Sequence, residues 1–278
     1  MEFLGYQYSP RLEELHNTLA DLLGDDIRVE DIRFDEDERL HTALGAHKRN
    51  PDGTISIKFN PERPEEADIA HEYLHGIFQA EGYPTVRYFG IENRNIDWLR
   101  THIDDAVIHP LIFTRSEELG FSMGKQRERI LSGYIESLSE YAPENTSNVV
   151  QMQIRAFQML FAFQQDKNCE DEIRRATRAN LPITFSIFQE YKSIVPREGT
   201  ANKRKCQKCL LRLIEICDSQ FNEYGNEDTH LRERLFSVPV YISMRDANKP
   251  ARTLVTIQTM DRITDGVQWF CFSYTEIP

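Results

Sequence analysis

Apolar residues recur at spacings of three and four through Leu12, Leu15, Leu19 and Leu22. They predict a first helix from Ser9-Pro10 to Gly24, with serine as N-cap and proline at the first helical position. From Ile27 to Phe34 apolar and polar residues alternate, the two-residue period of a strand. The runs His41 to Lys48 and Thr54 to Phe59 flank Asn50-Pro51-Asp52-Gly53, turn chemistry that predicts a hairpin. The helical period returns in Ala70, Leu74, Ile77, Phe78 and Ala80. Pro64, Glu65, Glu66 and Asp68 supply the acidic first turn that suits the positive end of a helix. Glu81 to Asn95 is rich in Gly, Tyr, Pro and Asn and reads as a loop. A second helix runs from about Ile96 to His109, where Pro110 is expected to end or kink it.

Beyond Phe121 the pattern is almost wholly helical, with segments at Lys125–Tyr141, Thr146–Gln165, Phe185–Val195 and Lys203–Tyr224. The tail turns to strand-type composition in Val238–Met244, Thr253–Gln258 and Val267–Tyr274. The fold class expected is α+β, in three regions: 1–120 with a small sheet and the motif helix, a helical 121–236, and a small β region, 237–278.

The formal charge of −12 and pI of about 5.2 argue against a general nucleic-acid-binding role. The basic run Lys203-Arg204-Lys205 reads as a solvated helix end. No stretch approaches the roughly 18–20 apolar residues of a membrane span, and Met1 to Gly5 lacks the features of a signal peptide. The 5 cysteines are odd in number and fall in the C-terminal half, so a reducing cytoplasm is expected. Cys206 and Cys209 form a C-x-x-C, but no second half-site completes it. Together with Cys217 they fit buried positions on one helix face.

Inside the second apolar stripe, His71-Glu72-Tyr73-Leu74-His75 spells H-E-x-x-H. Residues four apart on a helix stand one above the other, so both imidazoles can aim at one ion. Zn2+ takes such nitrogens at about 2.0–2.1 Å. Glu72 lies one step round, close enough to hold an activated water without ligating the metal. By chance the pentapeptide would arise in roughly 2% of chains of this composition, and its place beside an apolar stripe lowers that risk.

A catalytic zinc needs a third protein ligand. No third histidine follows closely and no cysteine precedes Cys169, which leaves the second helix. There His102, Asp105 and His109 share a face, and Leu99, Ile103, Ala106 and Val107 are expected to pack on the motif helix. His109 is a candidate for zinc ligation, for a hydrogen bond to a ligating group, or for stabilising the developing oxyanion. A solvated acidic face at Asp104 and Asp105, with His109 as a core histidine, is the bland alternative.

Over roughly residues 27–120, resting on His71, Glu72 and His75, the chain resembles the zincin metallopeptidases, in particular gluzincin-like intracellular bacterial enzymes. The resemblance implies a sheet whose edge strand borders the cleft and binds extended substrate. It implies a carboxylate ligand on the following helix, which falls to Asp105 or else Asp104. The N-E-x-x-x-D motif of gluzincins is absent. The expected metal ligands are therefore His71, His75 and Asp105, with Glu72 as general base, His109 as the further catalytic candidate, and His102, Tyr83 and Tyr88 as other possible donors. Thr54 to Phe59 would align the substrate backbone. The function expected is zinc-dependent hydrolysis of a protein or peptide, with no nucleic-acid or membrane partner and with restraint by the C-terminal region. The alternatives are a zinc hydrolase of another amide or ester, and a non-enzymatic interaction protein with a structural or vestigial metal site.

Overall fold

The computed structural model describes residues 1–23, 27–35, 44–50, 54–88, 94–144, 148–224, 253–259 and 269–276. The chain is α+β. A short hairpin, β1 (Glu2–Phe3) and β2 (Tyr6–Gln7), leads into helix α1 (Pro10–Leu23). Ser9 Oγ caps that helix by accepting from the Leu12 amide at 3.4 Å. Its buried stripe ends at Leu23, while Leu22 faces out.

Strands β3 (Ile27–Asp31), β4 (Gly45–Arg49) and β5 (Ile55–Phe59) form a sheet in the order β3-β5-β4. The predicted hairpin is β4–β5, antiparallel, with His47 opposite Ile57. β3 runs parallel to β5. β5 is buried along its length and paired on both sides. Thr54 to Phe59 is expected from sequence to align a substrate backbone, but the partners on both sides of β5 already take its backbone groups. Among the described residues β3 and β4 are the edges, and β4 is the one against α2.

Helix α2 (Glu66–Ala80) carries the H-E-x-x-H motif and packs between α1 and this sheet. The approach to α1 requires glycine, since a Cβ on Gly76 would lie 2.9 Å from Leu19 Cδ2. A strand, β6 (Thr85–Tyr88), occupies part of the segment that reads as a loop in sequence. Helix α3 (Arg94–Glu118) then runs straight through Pro110 instead of stopping at His109. Proline cannot donate to the Ala106 carbonyl, and Gln164 Nε2 takes that acceptor at 2.9 Å.

The remaining helices are α4 (Gly124–Glu140), α5 (Val149–Gln165), α6 (Glu170–Thr177), α7 (Pro182–Glu198) and α8 (Lys203–Tyr224). α5 is buried almost all round and sits at the centre of this layer. α6 escapes sequence reading because only Ile173 and Thr177 of its charged octapeptide are buried. Cys206, Cys209 and Cys217 are buried on α8 and take part in no disulfide among the described residues. β7 (Thr253–Thr259) and β8 (Trp269–Glu276) match two of the expected tail strands, and they join β6 in the order β6-β8-β7. The Val238–Met244 strand candidate lies outside the described residues. Among the described residues no helix is long and apolar enough to cross a membrane.

Two hydrophobic cores meet at α3. Leu99, Ile103, Ala106 and Val107 do not pack on the motif helix. They join the core of α5, α7 and α8, and Ile108, Ile112 and Phe113 supply the face toward α1 and α2. A fragment ending at residue 120 would expose Leu99, Ile103 and Val107, each fully buried here. At about 1.5–3 kcal/mol per large apolar side chain, that loss approaches the whole stability of a typical domain. The fragment is expected to lack a cooperative thermal transition and to elute as aggregate in size-exclusion chromatography.

Candidate metal centre

The helical repeat of α2 stacks His71 and His75 one turn apart on one face, with Nε2 atoms 3.1 Å apart. Both rings are buried, 4% and 8% exposed, so their nitrogens face each other out of bulk water. α3 delivers His109, whose Nε2 lies 3.2 Å from that of His75. The ligand atoms of the three rings all fall within 4.8 Å of one another. Nitrogens bound at 2.0–2.1 Å in tetrahedral array stand about 3.3 Å apart, so the spacing fits a zinc-sized ion. Phe113 packs 5.6 Å from the His71 ring and Phe161 of α5 packs 5.9 Å from His109, an apolar wall on that flank.

Burial sets the charge state of these rings. It drives His71 and His75 well below the ordinary imidazole value, helped by neighbouring histidines. It pushes His109 down to about 4, with Glu72 opposing the shift and His47 adding to it. Neutral imidazoles offer the lone pairs a cation needs. The Nδ1 of His71 is buried with no hydrogen-bond partner, whereas a metal-binding histidine usually donates from its other nitrogen.

Glu72 stands beside this cluster and outside it. A second convergent group comprises His47, Glu72 and His75. Nδ1 of His47, on β4, lies 3.0 Å from Glu72 Oε2, and its ring stacks on His75 with centroids 4.3 Å apart. β4 comes this close because residue 45 is glycine: a Cβ there would lie 3.0 Å from Glu72 Cγ.

Asp105 does not join the three nitrogens. Its Oδ1 touches His109 Nε2 at 3.4 Å. Burial pushes its carboxyl up to about 6, opposed by His102 and His47. Asp104 turns the other way, accepting from Thr85 Oγ1 and the Val86 amide at 2.7 Å each, and so ties β6 to α3. His102 donates from Nδ1 to the Trp98 carbonyl at 2.8 Å and packs on Phe161. Tyr83 packs edge-on against Phe78, and the Tyr88 side chain lies outside the described residues. One turn before the motif histidines, Asp68 is held at both oxygens by Arg129 Nη2 of α4, at 2.7 Å each.

His47 is the site residue that motif reading misses, because it arrives through sheet register. A partial signal exists on α2 itself: Glu72 and Gln79 are seven residues apart and share a face, and Gln79 Nε2 lies 3.3 Å from His47 Nε2. No protein-family model matches the chain, and no curated protein or solved structure is significantly similar to it.

Without metal, the three buried imidazoles stay neutral where the unfolded chain, near the ordinary 6.5, takes up protons. Unfolding thus binds protons between 6.5 and, for His109, about 4, and stability falls as pH falls through that window. Asp104 and Asp105, both pushed up to about 6, act in the opposite sense below that value, since the folded chain holds their protons more tightly. The imidazole effect is therefore least opposed just above pH 6. The melting temperature of chelator-treated protein is expected to drop between about pH 7.5 and about pH 6. The drop should shrink in His109→Gln, as followed by circular dichroism.

Proposed function

We propose that the chain is a zinc-dependent metallopeptidase of the zincin type, with His71, His75 and His109 as metal ligands and Glu72 as general base. The observation that carries this reading is the convergence of three uncharged imidazole nitrogens beside a carboxylate that stays out of their cluster. Bound zinc supplies Lewis acidity, which brings the pKa of a water near neutrality and polarises a carbonyl oxygen. Glu72 accepts the proton of the attacking water and hands it to the leaving amine. His109 takes the place expected of Asp105, because its nitrogen converges with those of His71 and His75 while the Asp105 carboxylate approaches His109 Nε2 from outside that group.

A peptide substrate is favoured over other amides and esters by the sheet. Among the described residues β4 pairs only with β5, and it lies against α2 beside Glu72. An extended chain added to that edge would run past the catalytic carboxylate, held by main-chain hydrogen bonds. Phe113 and Phe161 keep bulk water from the ligand side, which strengthens electrostatic interactions there.

Protein purified without added zinc is expected to hold about one equivalent of metal. His71→Ala and His109→Ala should lose it, and Glu72→Gln and Asp105→Asn should keep it, by elemental analysis. Glu72→Gln should slow cleavage of labelled casein by about 100- to 10,000-fold. Full occupancy with no hydrolysis across a peptide library would instead favour an interaction protein with a structural metal.

A further inference from the structure

Glu72 must present one carboxylate oxygen to a reacting water while remaining off the metal, and a glutamate side chain has three rotatable bonds with which to fail at this. His47 and Gly45 restrict it directly, and Gln79 and His75 do so through His47. An ionised carboxylate only accepts, so the 3.0 Å contact between His47 Nδ1 and Glu72 Oε2 requires the proton to sit on Nδ1. That leaves Nε2 of a neutral His47 as an acceptor, and the Gln79 amide nitrogen stands 3.3 Å from it, the right kind of partner. The ring plane is fixed in turn by stacking on His75, with an interplanar angle of 13°. Gly45 completes the arrangement, since a Cβ there would come within 3.4 Å of Glu72 Oε1 as well as crowding Cγ.

We propose that His47 is a positioning residue for Glu72: its Nδ1–H holds Oε2 and leaves Oε1 for proton transfer, in a tautomer selected by Gln79. The inference deepens the peptidase reading and rests on it for the consequence, although the hydrogen-bond relay exists in the protein with or without turnover. It also accounts for the group of His47, Glu72 and His75 without a second ion, because two of its three members are already satisfied by each other.

The test combines substitution with a measurement independent of activity. Asparagine places an amide N–H where Nδ1 of histidine stands, and glutamine reaches the Nε2 position. With labelled casein as probe, His47→Ala is expected to keep its zinc and lose about 10- to 100-fold in kcat with KM little changed. His47→Asn should restore most of that loss and His47→Gln should not. Zinc lost from His47→Ala, or Gln and Asn variants of equal activity, would overturn the proposal.

Long-range proton–nitrogen NMR of the histidine rings in the metal-free wild type, assigned by comparison with His47→Asn, should report the Nδ1–H tautomer for His47. A preference for Nε2–H would overturn the proposal even if every variant folded poorly. If casein is not cleaved by the zinc-loaded wild type, the peptidase reading fails, while the tautomer measurement still decides the relay.

Discussion

The site depends on taking several imidazoles out of water together. One buried neutral histidine is ordinary, but here three Nε2 atoms converge at 3.1 and 3.2 Å, and neutral rings carry only one N–H each. A cation between them would engage all three at once. Protonation is not an alternative, because burial has pushed each ring to the neutral side. The apolar wall of Phe113 and Phe161 and the close packing of α1 through Gly76 are what maintain that burial.

The third ring reaches this level only because α3 does not stop where a proline follows it. Pro110 removes the donor that Ala106 would have met, and Gln164 of α5 supplies another. The helix then continues to Glu118, and Ile112 and Phe113, just beyond the proline, seat it against α2. The helical region thus takes part in the geometry of the centre: α5 repairs the helix that carries His109, and α4 clamps the start of the motif helix through Arg129 and Asp68. Asp104 adds a third anchor, from β6 and hence from the sheet that includes the tail strands β7 and β8.

What could be read in sequence was whatever has a short period. The stripe of α1, the hairpin around Asn50-Pro51-Asp52-Gly53 and the pairing of His71 with His75 are local, and the structure contains all three. Periodicity also put Asp105 and His109 on one face of α3, but it could not choose between them. They differ by one turn, about 6 Å along the axis, and the level at which α3 crosses α2 is set by side chains of the other core. The apolar set assigned to that contact, Leu99, Ile103, Ala106 and Val107, belongs to the second core, so the helix is rotated from the orientation the stripe implied. His47 was beyond reach for a related reason: its position follows from the order β3-β5-β4, in which the strand nearest the motif in sequence is the central one. β6 was hidden by a turn-rich composition whose strand partner comes more than 180 residues later, at β8.

The two convergent groups around α2 share His75, and that overlap decides how they divide the work. A neutral imidazole has a single lone pair to give, so His75 could serve only one ion in one place. The group with His71 and His109 offers three nitrogens of one kind, and only that of His109 has a carboxylate beside it, Asp105 at 3.4 Å. In the group with His47 and Glu72, the carboxylate is already bound to the ring it would have to join in ligation. An ion placed there would break that bond and draw Glu72 into ligation, which would cost the proposed reading its base. The arrangement is therefore asymmetric about α2, with the three converging imidazoles toward α3 and the Glu72–His47 pair toward β4, and His75 is the ring at which the two sides meet.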